Sequence, residues 1–137
     1  MICYAVIDTN VLVSALLSSK EDAATVRVLE RMLSGDIIPV YTNEMISEYC
    51  DVLTRKKFGF DADAVNYLIA AIEKYGIMVK PHTHDIVRTD MNDLPFYEAV
   101  LEKREDNAYL VTGNLKHFPH EPFVITAAQM IEILEAK

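Results

Sequence analysis

The feature that most constrains this chain is the alternation of short apolar runs with amphipathic helical segments. Runs such as CYAVI at 3–7, IIPVY at 37–41 and YLVT at 109–112 are apolar almost throughout, which is typical of strands buried on both faces. The segments between them carry helical spacing, and the order reads β-α-α-β-α-α-β-α-β-β-α. This alternation predicts an α/β protein with a mostly parallel sheet.

Length and composition favour one folded domain over residues 1–137, because 51% of the residues are hydrophobic and 25% are charged. Cys3 and Cys50 lie far apart and form no C-x-x-C motif, which predicts buried thiols in a reducing compartment. The N-terminus lacks the pattern of a signal peptide, and no apolar run approaches the roughly 18 residues of a membrane span. We therefore expect a cytoplasmic protein without membrane contact.

The charge balance is acidic, with 13 Lys and Arg against 21 Asp and Glu, a net charge of −8. Such a balance argues against a protein held to nucleic acid or anionic lipid by its overall field. A local basic patch remains compatible with it. The run Arg55-Lys56-Lys57 follows a predicted helix, and either of two roles fits: compensation of the helix dipole, or contact with an RNA phosphate.

Two local patterns around the second strand carry further expectations. Pro39 predicts that this strand lies at a sheet edge or contains a bulge, because proline cannot donate to a ladder. Thr42 predicts the N-cap of the next helix, over NEMISEYCDVLT. The spacing of Ile46, Cys50 and Leu53 predicts the apolar stripe of that helix.

Acidic and polar side chains follow the predicted strands at points where a ligand site would form. Asp8 follows the first strand, and Thr112 and Asn114 stand at the end of the fourth. Ligands of open parallel sheets bind at the carboxyl ends of the strands, so these residues should share one rim. Two further segments could add carboxylates there: Glu48, in the helix that leaves the second strand, and Asp90 and Asp93, before the helix that precedes the fourth strand.

Grouped carboxylates have a chemical consequence. They repel one another, and some would take up protons unless a cation neutralised them. Oxygen ligands without Cys or His suit a hard divalent ion, Mg²⁺ or Mn²⁺. Such ions bind phosphate oxygens and generate a hydroxide-like nucleophile, so the pattern predicts hydrolysis of phosphodiester bonds.

Four segments, in order and over nearly the whole chain, resemble a PIN-domain protein. YAVIDTNVLVSALL resembles the opening of that family, and TNEMISEYCDVL resembles the helix with its second acidic position. DLPFYEAVLEK resembles the segment with the third acidic position. YLVTGNLKHF resembles the strand and turn that carry the fourth.

The resemblance implies a PIN-like three-layer α/β/α sandwich with a four- to five-stranded sheet. It implies a metal-dependent ribonuclease, and many small members are toxins of toxin–antitoxin pairs. It further implies an antitoxin partner and a homodimer. In this sequence the implied metal ligands are Asp8, Glu48 and Asp93. Asn10 is implied to hold the first loop by hydrogen bonds, and the Thr112 hydroxyl is implied to face the site.

The sequence departs from the family pattern at Asn114, where many PIN domains have a fourth acid. An amide oxygen can ligate Mg²⁺ or position the nucleophilic water, but it carries no charge. A second metal ion should therefore bind less tightly, and Asp90 or Asp106 could compensate.

Two other functions stay open beside RNA hydrolysis. A catalytically weak or inactive module that binds RNA or a protein partner would fit Asn114 and the net charge of −8. A phosphatase-type phosphotransfer enzyme would need a second aspartate two residues after Asp8, where the chain has Asn10. The histidines are interpreted as solvated loop residues, although Lys116 and His117 could contact a substrate phosphate.

Overall fold

The computed structural model describes residues 2–80 and 94–136. Five strands and six α-helices lie in these ranges and follow the predicted order: β1 Cys3–Ile7, α1 Thr9–Leu17, α2 Ala24–Ser34, β2 Ile37–Tyr41, α3 Asn43–Leu53, α4 Ala62–Tyr75, β3 Ile77–Met78, α5 Leu94–Glu102, β4 Tyr109–Val111, β5 Val124–Ile125 and α6 Ala127–Glu135. In this part of the chain, no helix has both the length and the apolar character needed to cross a bilayer.

The strands form one parallel sheet in the order β3-β2-β1-β4-β5. In its central pair, Val6 lies opposite Leu110 and Ile7 opposite Val111. The carboxyl ends of β1 and β4 therefore lie side by side, which places the residues that follow them at the same rim.

Burial along β1 reveals how the layers are arranged. Ala5, Val6 and Ile7 are all at most 2% exposed, although consecutive strand residues point to opposite faces. Both faces of the sheet are therefore covered. Among the helices, α5 packs across β1, β2 and β4, while α2 packs on β2 and against α1 and α6. This arrangement confirms the predicted α/β/α sandwich.

The expectation for Pro39 is wrong. β2 lies between β3 and β1, so it is not an edge strand, and its register with β1 runs through Pro39 without a bulge. The ladder between β2 and β3 begins at Val40, one residue after the proline. Pro39 is tolerated because β3 pairs with β2 only from Val40 onward, so the N–H that proline lacks would have no partner in β3.

The predicted stripe of α3 is also partly wrong. Leu53 is buried, but Cys50 is exposed and Ile46 is only partly buried. The helix buries Met45, Tyr49 and Leu53 instead, so the first two positions of the stripe lie one residue earlier than predicted. Of the two thiols, only that of Cys3 is buried as predicted. Because Glu48 directly precedes Tyr49, this rotation of the helix also sets the direction in which Glu48 faces.

Candidate active site

The site begins where β1 and β4 end next to each other. The Asp8 backbone N–H donates to the Val111 carbonyl at 2.9 Å, which continues the ladder by one residue. The Thr112 hydroxyl donates to Asp8 Oδ2 at 2.7 Å. Both side chains are buried, Asp8 with 4% of its surface exposed and Thr112 with none. The carboxylate of Asp8 is thus held at one oxygen by its neighbouring strand.

Two asparagines connect the loops at this rim. Asn10 Oδ1 accepts a hydrogen bond from the Gly113 backbone N–H at 3.1 Å, so the first turn of α1 is joined to the turn after β4. The Asn114 backbone N–H donates to the Thr112 hydroxyl at 3.0 Å. The Nδ2 atom of Asn114 lies 3.0 Å from the Nε2 atom of His117.

Glu48 reaches the same region from α3. That helix begins at the carboxyl end of β2, where the Thr42 side chain accepts a hydrogen bond from the Met45 N–H and caps it as predicted. The Thr9 hydroxyl, in the first turn of α1, donates to Glu48 Oε2 at 2.9 Å. Asp8 and Thr9 are adjacent in sequence, so this bond brings the second carboxylate to the first.

The two carboxylates border one surface hollow of about 290 Å³, which we call the acid hollow. It is lined by eight residues: Asp8, Thr9, Asn10, Val13, Glu48, Val52, Phe58 and His117. A larger hollow of about 450 Å³ shares Asn10 with it and is lined by neutral residues that include Thr112 and Asn114. The rim thus offers an acidic depression beside a neutral one.

Tyr49 is buried, and the charges of both acids act on its hydroxyl group. Its hydroxyl donates to the Ile7 carbonyl and ties α3 to the end of β1. Burial raises the pKa of the Tyr49 hydroxyl well above its usual value, and the negative charges of Asp8 and Glu48 raise it further. The phenol therefore stays neutral at physiological pH and keeps its hydrogen bond to the Ile7 carbonyl, one residue before Asp8.

The donor set of the acid hollow fits a hard divalent cation, because its acidic ligands are carboxylates that approach from different elements. Asp8 and Glu48 supply two such carboxylates. Within residues 2–80 and 94–136, no group of three His, Cys, Asp or Glu side chains could hold a metal ion. The predicted third ligand, Asp93, and the supporting Asp90 lie outside the described residues. Asp106 pairs with Lys103 at 2.9 Å and does not line the acid hollow.

Several of the residues at this site were not singled out by sequence reasoning. Thr9 positions Glu48, Tyr49 supports the end of β1, and Phe58 lines the acid hollow. The signal for Phe58 was its place directly after a basic run. His117, interpreted as a solvated loop residue, is exposed but lines the hollow as well.

Comparison with known proteins identifies the fold family. The sequence model of the family described as PIN domain matches residues 4–116 of this chain. Proteins of this family are generally nucleases, and they typically use divalent metal ions. A search of curated proteins found no match.

Proposed function

We propose that this chain, which belongs to the PIN-domain family, is an endoribonuclease that hydrolyses RNA phosphodiester bonds with Mg²⁺ or Mn²⁺. The observation that carries the proposal is the acid hollow at the carboxyl rim of the sheet, which Asp8 and Glu48 both line. Family membership supports nuclease chemistry, and the donor set supports a hard divalent ion.

The residues of the hollow would hold such an ion through carboxylate oxygens of Asp8 and Glu48, together with Asp93. Bound there, a divalent ion supplies charge neutralisation at the phosphate and an activated water. Thr112 keeps Asp8 in one orientation, and Thr9 does the same for Glu48. His117 borders the hollow and, with Lys116 before it in sequence, would contact the substrate phosphate.

Asn10 and Asn114 have supporting roles in this proposal. Asn10 accepts a hydrogen bond from Gly113 and so holds the two rim loops at a fixed distance. A phosphatase-type enzyme would need an acid at position 10, so this structural role of the amide favours RNA hydrolysis. Asn114 lines the neighbouring neutral hollow, with its Nδ2 atom 3.0 Å from Nε2 of His117, and from there it would complete the ligand shell or position the water.

The proposed partners rest on the family resemblance. They are RNA as substrate, an antitoxin protein that blocks the rim, and a second copy of the chain in a homodimer. A toxin role in the cytoplasm belongs to the same proposal.

The decisive experiment is cleavage of a labelled single-stranded RNA by the purified protein with Mn²⁺ and with EDTA. We expect Mn²⁺-dependent cleavage, and we expect Asp8→Asn to lower its rate at least about 100-fold, since even residues that only orient metal ligands are worth 10- to 100-fold. Asp63→Asn is the matched control, because Asp63 is exposed in the first turn of α4 and lines neither the acid hollow nor the neutral hollow beside it.

Two results would contradict the proposal. A folded Asp8→Asn protein that cleaves at the wild-type rate would place the activity elsewhere. A wild-type protein that cleaves no RNA in Mn²⁺ would favour the non-catalytic module.

A further inference from the structure

Phe58 lines the acid hollow with an aromatic ring, and it directly follows a basic run. Arg55, Lys56 and Lys57 are exposed, and they come after the C-terminus of α3, the helix that carries Glu48. The ring of Phe58 thus borders the hollow with the two carboxylates, and the three residues before it in sequence carry positive charge.

The backbone and a second ring hold Phe58 in place. The Phe58 N–H donates to the Arg55 carbonyl at 3.1 Å, and the Gly59 N–H donates to the Lys56 carbonyl at 3.2 Å. Gly59 has a φ of 65°, the left-handed conformation that glycine adopts most easily. The rings of Phe58 and Phe60 stack with centroids 5.3 Å apart and planes 9° from parallel. These contacts therefore hold the Phe58 ring in position at the edge of the hollow.

The charge of this run comes mainly from its lysines. Arg55 pairs with Asp51 at 2.9 Å, which compensates its charge. Lys57 Nζ lies 5.1 Å from the centroid of Phe58. In the part of the chain that the structure covers, neither Lys56 nor Lys57 forms an ion pair with an acid. A phosphate that approaches the two carboxylates would be repelled, and the ammonium group of Lys57 beside Phe58 would offset that repulsion.

We infer that Lys56, Lys57 and Phe58 form a binding rim for single-stranded RNA beside the acid hollow. A nucleobase stacks on Phe58, and the lysines contact a backbone phosphate next to the one that is cut. Aromatic rings and positive groups side by side are the usual means of holding single strands. The inference rests on the proposed function, since the acid hollow is where the cut would occur.

A purely structural role makes different predictions. If the basic run only compensates the dipole of α3 and Phe58 only packs on Phe60, substitutions would change stability and leave RNA affinity alone. Affinity for RNA with and without bases separates the two roles.

The test uses the Asp8→Asn protein without divalent metal, so that cleavage cannot interfere. Fluorescence anisotropy measures its affinity for a fluorescein-labelled 12-nucleotide single-stranded RNA and for an abasic strand of equal length. We expect Phe58→Ala to weaken RNA binding roughly 5- to 150-fold, the range for one stacked base, and to leave abasic binding unchanged. Phe58→Trp should restore binding.

The lysines should act on both strands. We expect Lys57→Gln to weaken binding of RNA and abasic strand alike, because both strands carry the phosphate that this ammonium group would neutralise. The slope of log K against log salt should become shallower by about 0.7 for each phosphate that the variant no longer neutralises.

The chain offers a matched control pair in Lys74 and Tyr75, where Nζ lies 5.4 Å from the ring centroid. Tyr75 ends α4 just before β3 begins, so it lies toward the amino end of the sheet, away from the rim. Tyr75→Ala and Lys74→Gln should leave RNA affinity unchanged.

The inference is overturned if Phe58→Ala leaves RNA affinity unchanged or lowers affinity for both strands equally. It is also overturned if the Asp8→Asn protein binds neither strand. Failure of the proposed function is read separately, from wild-type cleavage with Mn²⁺. If the wild-type protein never cleaves RNA but Phe58→Ala lowers RNA affinity, the binding rim is supported and the proposed enzymatic function is contradicted.

Discussion

At the scale of single residues, Thr112 is the connecting point of the site. Its hydroxyl donates to Asp8 and accepts from the Asn114 N–H, and the side chain is fully buried. The sequence predicts Thr112 at the rim because it stands at the end of the fourth predicted strand. The two hydrogen bonds explain why a hydroxyl is needed at that position.

We predict that Thr112→Val, which keeps the shape and removes the hydroxyl, lowers the free energy of unfolding by about 2 kcal/mol. A hydrogen bond to a charged group contributes about 1.5–3 kcal/mol, and the buried Asp8 carboxylate and the part-buried Asn114 N–H each lose one hydrogen bond. Urea unfolding measures the change, and RNA cleavage should fall roughly 10- to 100-fold because Asp8 is less well oriented.

Two controls accompany Thr112→Val. Thr112→Ser keeps the hydroxyl and should retain most of the activity. Thr25→Val removes a hydroxyl whose one hydrogen-bond contact within residues 2–80 and 94–136 is a long one, 3.4 Å to Ser14, so its effect on stability should be within about 0.5 kcal/mol. Wild-type stability and cleavage in Thr112→Val would contradict the role assigned to this hydroxyl.

At the scale of elements, the turn between α4 and β3 depends on a close backbone approach. A Cβ on Gly76 would lie 2.5 Å from both the Ile72 and the Pro39 carbonyl oxygens and 2.9 Å from Pro39 Cγ. Those carbonyls belong to α4 and β2, which cannot shift independently. The backbone of Gly76 itself is extended and available to any residue. Glycine is needed here for space.

We predict that Gly76→Ala lowers the free energy of unfolding by roughly 1–3 kcal/mol, the usual cost of overpacking. Gly35→Ala is the comparison, because Gly35 has a φ of 95° and nothing within 4 Å of its Cβ position. There the cost is backbone strain alone, about 1–2 kcal/mol, and Gly35→Asn should recover part of it. An unchanged unfolding midpoint for Gly76→Ala would contradict the close approach.

At the scale of the whole molecule, Tyr49 links the stability of the fold to the acids of the site. It is buried between α3 and β1, and its pKa is raised first by burial and then by Asp8 and Glu48. A raised pKa in the folded state means that the folded protein keeps its phenolic proton to higher pH than the unfolded chain does. The stabilisation is therefore complete below the unfolded value, near pH 10, and is lost as pH rises above it.

We predict that wild-type stability falls above about pH 10 more steeply than that of Tyr49→Phe, by up to about 1.4 kcal/mol per pH unit. Urea unfolding from pH 8 to 11 measures the two slopes. The difference between the proteins isolates Tyr49, because Tyr41 and Tyr97, whose pKa values are also raised by burial, are present in both. Parallel slopes would contradict the assignment.

The sequence by itself determined the order of the elements, the bounds of β1 and β2, the cap at Thr42, and the position of Asp8 directly after β1. It placed Thr112 at the end of the fourth strand, which in the structure ends one residue earlier, at Val111. These features depend on neighbouring residues, so local patterns encode them. The rotation of α3, which buries Tyr49 and exposes Cys50, was not encoded in that way. Helical spacing alone fits either face.

Only the tertiary structure decided the strand order, the bond from Thr9 to Glu48 and the approach of Phe58 to the acid hollow. Each joins residues far apart in the chain, and packing between elements sets their distance. The physical reason is the same in every case: a local pattern specifies which element forms, while the burial of many side chains together specifies how elements are turned toward one another.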